Sequence, residues 1–193
     1  MKGIVFLVFA VLLTLCVGGC CRPEDIGTQT VPLRGQETPV WCWAASGEMV
    51  MDFLGTDVSQ CDEANKRFGR NDCCNSDRPS ACVNTGWPEF DKYGFNFDRT
   101  SNTPLTWDQL KDQIYCQKKP FAFSWHWLDA NGQPNGGHMM VVTGYVSVGG
   151  SNWVYYHNPL PVGAGSTEFK TYTDWVSGSG YSHWDDFYNV TKK

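Results

Sequence analysis

The sequence lacks the local motifs of several common enzyme classes. It contains no G-x-S-x-G serine-hydrolase motif, no H-E-x-x-H zinc motif and no G-x-x-x-x-G-K-[ST] phosphate-binding loop. It also lacks a basic surplus, since 15 Lys and Arg stand against 20 Asp and Glu and give a formal net charge of -5. Nothing in this balance suggests a nucleic-acid partner. Because no repeat or low-complexity block interrupts the 193 residues, we expect one catalytic domain.

Long apolar runs are scarce, and the one that is present lies at the N-terminus. Lys2 precedes the largely apolar residues 4–17, and the first acidic residue is Glu24. A membrane-spanning helix needs roughly twenty apolar residues, so this run is too short to serve as one. We therefore predict that residues 1–19 are an export signal that is removed.

The end of this signal, Val17-Gly18-Gly19-Cys20, resembles the bacterial lipobox. That resemblance implies that Cys20 is lipidated, becomes the mature N-terminus and anchors the protein to a membrane. The alternative is ordinary cleavage after Gly18 or Gly19, which would release a secreted protein. In either case the protein is expected to be exported, either as a cell-envelope lipoprotein or into the medium.

The nine cysteines include no C-x-x-C pair, which disfavours a zinc site. Cys16 lies within the signal, Cys20 is the lipidation candidate and Cys42 is a candidate nucleophile. Six cysteines then remain, an even number that predicts up to three disulfides in an exported protein, with fifteen possible pairings. These disulfide candidates are Cys21, Cys61, Cys73, Cys74, Cys82 and Cys116.

The first half of the mature chain carries helical signals. Residues 20–34 are polar and aperiodic and predict a short extended tether, so the folded domain is expected to span residues 35–193. Apolar residues at helical spacing follow Cys42, which predicts that a helix begins there and ends near Gly55. Capping-box spacings that start at Ser59 and Thr106 predict two further helices.

The second half has strand periodicity. Aromatic residues alternate from Phe121 to Trp127, and further strands are predicted from His138 to Tyr145 and from Trp153 to His157. The aromatic clusters around Trp175 and residues 184–188 predict one or two closing strands. The order of helices first and antiparallel sheet second indicates an α+β fold with two lobes.

A cysteine nucleophile needs a base, a group that holds the base, and donors for the oxyanion. Cys42 lies where a helix is predicted to begin, and unpaired helical N–H groups there favour its thiolate. His138 follows two glycines at the start of a predicted strand, and its ordinary pKa of about 6.5 suits a base. Asn158 ends the next strand, at the same edge of the predicted sheet, and can accept a hydrogen bond from His138. His126 and His183 lie in aromatic strands and are expected to be structural.

The segment from Gln36 to Ser46, QETPVWCWAAS, places a glutamine six residues before a Cys-Trp pair. In this feature, and in the order Gln, Cys, His, Asn along the chain, the sequence resembles the papain-like cysteine peptidases. The resemblance implies a two-lobed papain-like fold, a Cys42–His138–Asn158 triad and an oxyanion site completed by Gln36. It also implies endopeptidase activity on a protein or peptide substrate, without a metal or cofactor. We expect a monomer.

The resemblance extends from Gln36 to about Pro161, with two departures. Val40-Trp41 replaces the usual Gly-Ser before the cysteine, and the separation of 96 residues from Cys42 to His138 is shorter than in plant and lysosomal members. The compactness is closer to secreted effector-type and bacteriocin-leader peptidases of bacteria. Two alternatives remain: a peptidoglycan amidase on the same frame, with His or an acid as third member, and a non-catalytic surface-binding lipoprotein with Cys42 in a disulfide.

Overall fold

The computed structural model describes residues 21–193, so the predicted signal and Cys20 lie outside the described residues. The helices are α1 (Cys42–Phe53), α2 (Gln60–Phe68), α3 (Trp107–Lys111) and α4 (Tyr172–Val176), with short 3-10 turns at Ser80–Cys82 and Phe90–Tyr93 and a π turn at Asp112–Cys116. The strands are β1 (Ile26–Thr28), β2 (Phe95–Arg99), β3 (Phe121–Leu128), β4 (Pro134–Val148), β5 (Ser151–Asn158), β6 (Ser166–Thr171), β7 (Ser177–Gly178) and β8 (Tyr181–Lys192).

The eight strands found in residues 21–193 belong to one antiparallel sheet. Its main path runs β2-β8-β3-β4-β5-β6, while β1 pairs with β4 and β7 pairs with β8. The long central strands β3 and β4 are buried on both faces. Because successive residues of a strand face opposite sides of a sheet, neighbouring residues pack against different helices. In β4, Met139 and Val141 pack with α1 and α2, whereas Met140 and Val142 pack with α3 and α4.

The predicted helix starts are confirmed. Ser59 caps α2 by accepting a hydrogen bond from the Asp62 N–H, and Gly69 ends that helix in the left-handed conformation with φ of 62°. Thr106 and Gln109 form a reciprocal capping box at the start of α3. Local sequence was sufficient here because each cap involves residues only three positions apart.

Two strand predictions need correction. Strand β4 begins at Pro134, four residues before the predicted start at His138, because this stretch pairs with the end of β3 as a hairpin. Trp175 lies in helix α4 and not in a closing strand. Thr171 caps this helix by accepting from the Asp174 N–H, a Thr-x-x-Asp signal that the aromatic clustering obscured. The cluster at residues 184–188 does lie in a strand, β8.

The described part of the predicted tether is folded onto the sheet. Cys21 forms a disulfide with Cys116, and Ile26 to Thr28 form β1, in register with Val146 to Gly144 of β4. This contact was not visible in the sequence because β1 has only three residues and its partner lies more than a hundred residues away. Among residues 21–193 there is no helix with the length and apolar character required to cross a bilayer.

All six predicted disulfide candidates are paired, as Cys21–Cys116, Cys61–Cys74 and Cys73–Cys82. Three disulfides indicate an oxidising environment. They also argue against the zinc alternative, because the two Cys-containing clusters with metal-like spacing in the described chain both use these bonded sulfurs. Cys42 is the only free cysteine among the described residues.

Candidate active site

The free cysteine lies at the beginning of α1, as predicted. Its neighbours Trp41 and Trp43 are buried, and their indole N–H groups donate to the carbonyl oxygens of Cys82 (2.9 Å) and Asn84 (3.2 Å). These two bonds fix the start of the helix against the disulfide-linked segment that follows α2. Trp41, the N-cap residue, offers no side-chain acceptor, so the side chain before Cys42 leaves the first-turn N–H groups uncapped.

Cys42 and His138 line the same cavity, which has a volume of about 410 Å³. Three tryptophans, Trp43, Trp87 and Trp184, also line it. The backbone of Met139, the residue after His138, lowers the pKa of the Cys42 thiol. In the described part of the chain no hydrogen bond joins the thiol to the imidazole. Catalytic contacts of this kind are often long in unliganded enzymes and shorten when substrate binds.

The His138 ring is held by Asn158, which is not among the residues that line the cavity. Its Nε2 lies 2.7 Å from Oδ1 of Asn158, and an amide oxygen can only accept. Nε2 therefore carries the proton, which leaves Nδ1 with the free electron pair. Asn158 is the last residue of β5, and the pairing of β4 with β5 brings it beside His138 although they are twenty residues apart.

Burial moves both ionisable groups towards their neutral forms. It raises the pKa of the Cys42 thiol, and the N–H groups of Met139, Trp43 and Cys42 only partly oppose it. The sequence predicts that the helix start lowers this pKa, but in the unliganded site the effect of burial is larger. Burial also lowers the pKa of His138, against smaller opposing effects from the Asn158 hydrogen bond and the charge of Glu168.

Gln36 is fully buried and is not among the residues that line the cavity. Its Nε2 donates to the Thr38 carbonyl at 2.7 Å, while its Oε1 has no hydrogen-bond partner. The backbone N–H of Gln36 donates to the carbonyl of Pro159, directly after Asn158. The sequence predicts that the Gln36 side chain donates to the oxyanion. Since one N–H of its amide is bonded to Thr38, only the other N–H is left for that role.

The other histidines have structural contacts. His157 Nε2 lies 3.0 Å from the Val31 carbonyl and Nδ1 lies 3.0 Å from the Thr167 hydroxyl, so it holds the N-terminal segment against β5. His183 is buried and pairs with Asp186 at 3.0 Å. His126 stacks on Trp184 and forms part of the cavity wall.

One polar residue of the site was missed. Glu168, on strand β6, accepts a hydrogen bond from Asn158 Nδ2 at 2.8 Å. No local motif marks Glu168, because only the pairing of β5 with β6 places it beside Asn158. One feature of the sequence could have indicated this position: the turn after Asn158. It returns the chain antiparallel to β5 and so brings β6 beside Asn158.

Solved structures with a similar arrangement include papain-like enzymes. One, described for the mite allergens Blo t 1 and Der p 1, has a TM-score of 0.53 at 10% identity, covering 90% of this chain and 73% of that chain. Another, digestive procathepsin L 3 of the Tenebrio molitor larval midgut, has a TM-score of 0.45 at 14% identity, covering 90% and 67%. No curated protein gives a significant match.

A peptidase family model that matches most of the chain, together with the papain-like fold, identifies a papain-like cysteine peptidase. The chain belongs to the Peptidase_C39 like family, whose model matches residues 28–190. The match begins in β1, within the segment that the sequence alone assigns to a tether. As a member of a peptidase family, the protein acts on a protein or peptide substrate.

Proposed function

We propose that this protein is an exported endopeptidase that cleaves peptide bonds with Cys42 as nucleophile, His138 as base and Asn158 as the residue that orients His138. The observation that carries the proposal is the position of Cys42. It is unpaired, lies at a helix start without a side-chain cap, and shares a cavity with a histidine whose Nε2 is already bonded to an amide oxygen. Only Nδ1 is then free to take the thiol proton.

In the first step His138 Nδ1 accepts the Cys42 proton while the sulfur attacks the carbonyl carbon of the scissile bond. The carbonyl oxygen becomes an oxyanion, which in this proposal is stabilised by the Cys42 backbone N–H and by the second N–H of Gln36, whose buried amide must reach the cavity when substrate binds. The imidazolium then gives its proton to the leaving amine, and an acyl-enzyme remains. Water, deprotonated by His138, attacks this thioester, and the thiolate leaves and is reprotonated as the carboxylic acid departs.

The alternative of a non-catalytic binding lipoprotein predicts Cys42 in a disulfide, and the free Cys42 contradicts it. The amidase alternative predicts a histidine or an acid as the third member. The direct partner of His138 is an amide, Asn158, so the peptidase is the better-supported function. Export is supported by the three disulfides and by the apolar residues 4–17, and lipidation of Cys20 remains part of the proposal.

An epoxysuccinyl probe tests this function directly, because it alkylates an activated cysteine in an active site. We expect one probe molecule on the wild-type protein, mapped to Cys42 by peptide mass spectrometry, and loss of casein hydrolysis after labelling. Cys42→Ala should bind no probe and hydrolyse no casein. Cys42→Ser is the matched control for size, and its circular dichroism should equal that of the wild type. Equal labelling of wild type and Cys42→Ala would overturn the proposal.

A further inference from the structure

Glu168 lies behind Asn158, on the side away from His138. Strands β5 and β6 pair so that Tyr156 is opposite Glu168 and Asn158 is opposite Ser166. Side chains of residues that are opposite each other, or two apart, on neighbouring strands share a face of the sheet. This register brings the carboxylate of Glu168 to the amide of Asn158.

Both carboxylate oxygens of Glu168 are occupied by donors. Oε1 accepts from Asn158 Nδ2 at 2.8 Å and from the Ser166 hydroxyl at 2.9 Å, and Oε2 accepts from the Tyr156 hydroxyl at 3.0 Å. Tyr156 is fully buried, which fixes its hydroxyl. Burial by itself raises the pKa of Glu168, but these donors and Lys170 outweigh it, so the pKa lies below its ordinary value. The side chain is therefore ionised at neutral pH.

An ionised carboxylate can only accept hydrogen bonds, and this fixes the orientation of Asn158. The amide nitrogen must face Glu168, so the amide oxygen must face His138. The Leu160 backbone N–H donates to the same oxygen at 2.9 Å and supports this orientation. If the amide turned over, its N–H groups would face a donor at Nε2 and its oxygen would face a carboxylate. Both contacts would be repulsive.

We propose that Glu168 is a positioning residue that locks the Asn158 amide and thereby holds His138 in the Nε2–H tautomer, with Nδ1 free for the Cys42 proton. This inference rests on the proposed function and extends the sequence Cys42–His138–Asn158 by one half-buried residue. The negative charge of Glu168 also favours the imidazolium that forms when His138 takes a proton. The carboxylate thus acts on His138 through both geometry and charge.

Two substitutions separate geometry from charge. Glu168→Ala removes the acceptor of Asn158, which then can turn over, and we expect epoxysuccinyl labelling of Cys42 to slow by about 100-fold, as for other small misplacements of catalytic groups. Glu168→Gln keeps an oxygen for Asn158 but removes the charge, and should retain most of the labelling rate. Phe169→Ala, on the same strand but on the opposite face, is the control and should label like the wild type.

Imidazole ¹⁵N NMR provides a readout that a loss of general stability would not move. In the Cys42→Ala background, with the His138 signal assigned by its loss in His138→Gln, we expect the Nε2–H tautomer. Glu168→Gln should keep this tautomer and lower the His138 pKa, and Glu168→Ala should give a mixture of tautomers. If Glu168→Ala does not fold, Glu168→Met, which keeps a long side chain without an acceptor for the Asn158 amide, takes its place, and a pure Nε2–H tautomer in that variant would overturn the inference.

The outcomes also separate this inference from the proposed function. If wild-type Cys42 is not labelled, the peptidase proposal fails, whatever the tautomer of His138. If Cys42 is labelled but Glu168→Ala reacts at the wild-type rate and keeps the pure Nε2–H tautomer, the proposed function stands and the positioning role is wrong.

Discussion

The helical lobe and the sheet lobe each supply one of the two reacting groups of the site, and each lobe is stabilised by a different kind of interaction. The helical lobe supplies Cys42, and two short-range disulfides, Cys61–Cys74 and Cys73–Cys82, cross-link its C-terminal part. The sheet lobe supplies His138 from β4, an interior strand of a continuous ladder. Buried aromatic rings around Trp175 cover the face of this ladder away from α1.

This difference shows how each catalytic group is positioned. Cys42 is held indirectly, because Trp41 bonds to the carbonyl of Cys82, and Cys82 is fixed by its disulfide to Cys73. His138 is held by the backbone hydrogen bonds of β4 with β3 and by the side-chain contacts with Asn158 and Glu168. The position of the nucleophile therefore depends on oxidised cysteines, whereas the position of the base depends on strand pairing.

The largest effect on stability is expected from the core of the sheet lobe. Trp175 is fully buried and contacts Phe121, Phe123 and Tyr172. Trp175→Ala would leave a large cavity, so we expect the free energy of unfolding to fall by about 3–5 kcal/mol. Urea denaturation followed by circular dichroism measures this loss.

The matched control is another aromatic residue of the same lobe. Phe169 is 61% exposed, so Phe169→Ala should change the free energy of unfolding by less than about 0.5 kcal/mol. If the two variants lost similar stability, the aromatic cluster around Trp175 would not be the core that holds the sheet lobe.

A smaller effect on stability, but a specific effect on the site, is expected from the helical lobe. The double substitution Cys73→Ala and Cys82→Ala removes a buried disulfide and should lower the free energy of unfolding by about 3 kcal/mol. Because this disulfide fixes the segment that accepts from Trp41, the start of α1 should loosen and epoxysuccinyl labelling of Cys42 should slow. Labelling is measured well below the melting temperature, so that the folded state predominates.

Removal of the third disulfide, by Cys21→Ala with Cys116→Ala, is the control for that experiment. This bond closes a loop of 95 residues and holds the N-terminal segment against the sheet, away from Cys42. We expect lower stability with an unchanged labelling rate of the folded protein. Equal slowing in both double variants would show that the helical disulfide has no particular role in positioning Cys42.

The features that the sequence predicted correctly depend on nearby residues or on clear periodicity. The caps at Ser59 and Thr106 join residues three positions apart, and the alternation from Phe121 to Trp127 follows directly from the period of a strand. The contact of His138 with Asn158 was also foreseen, because a hairpin brings the ends of adjacent strands together.

The features that were missed depend on distant pairings. Strand β1 pairs with residues more than a hundred positions away, and strand β2 pairs with the far C-terminal strand β8. Glu168 becomes part of the site only through the register of β5 with β6. The choice among fifteen disulfide pairings likewise depends on the folded positions of the cysteines, which no spacing in the sequence determines.

The most direct test of the central claim is the pH dependence of Cys42 alkylation by iodoacetamide, in the wild type and in His138→Gln. If His138 takes the thiol proton, the wild type should react readily near neutral pH. In His138→Gln the thiolate should form only above the ordinary thiol pKa, because burial raises the pKa of Cys42. Superimposable pH profiles for the two proteins would contradict the account.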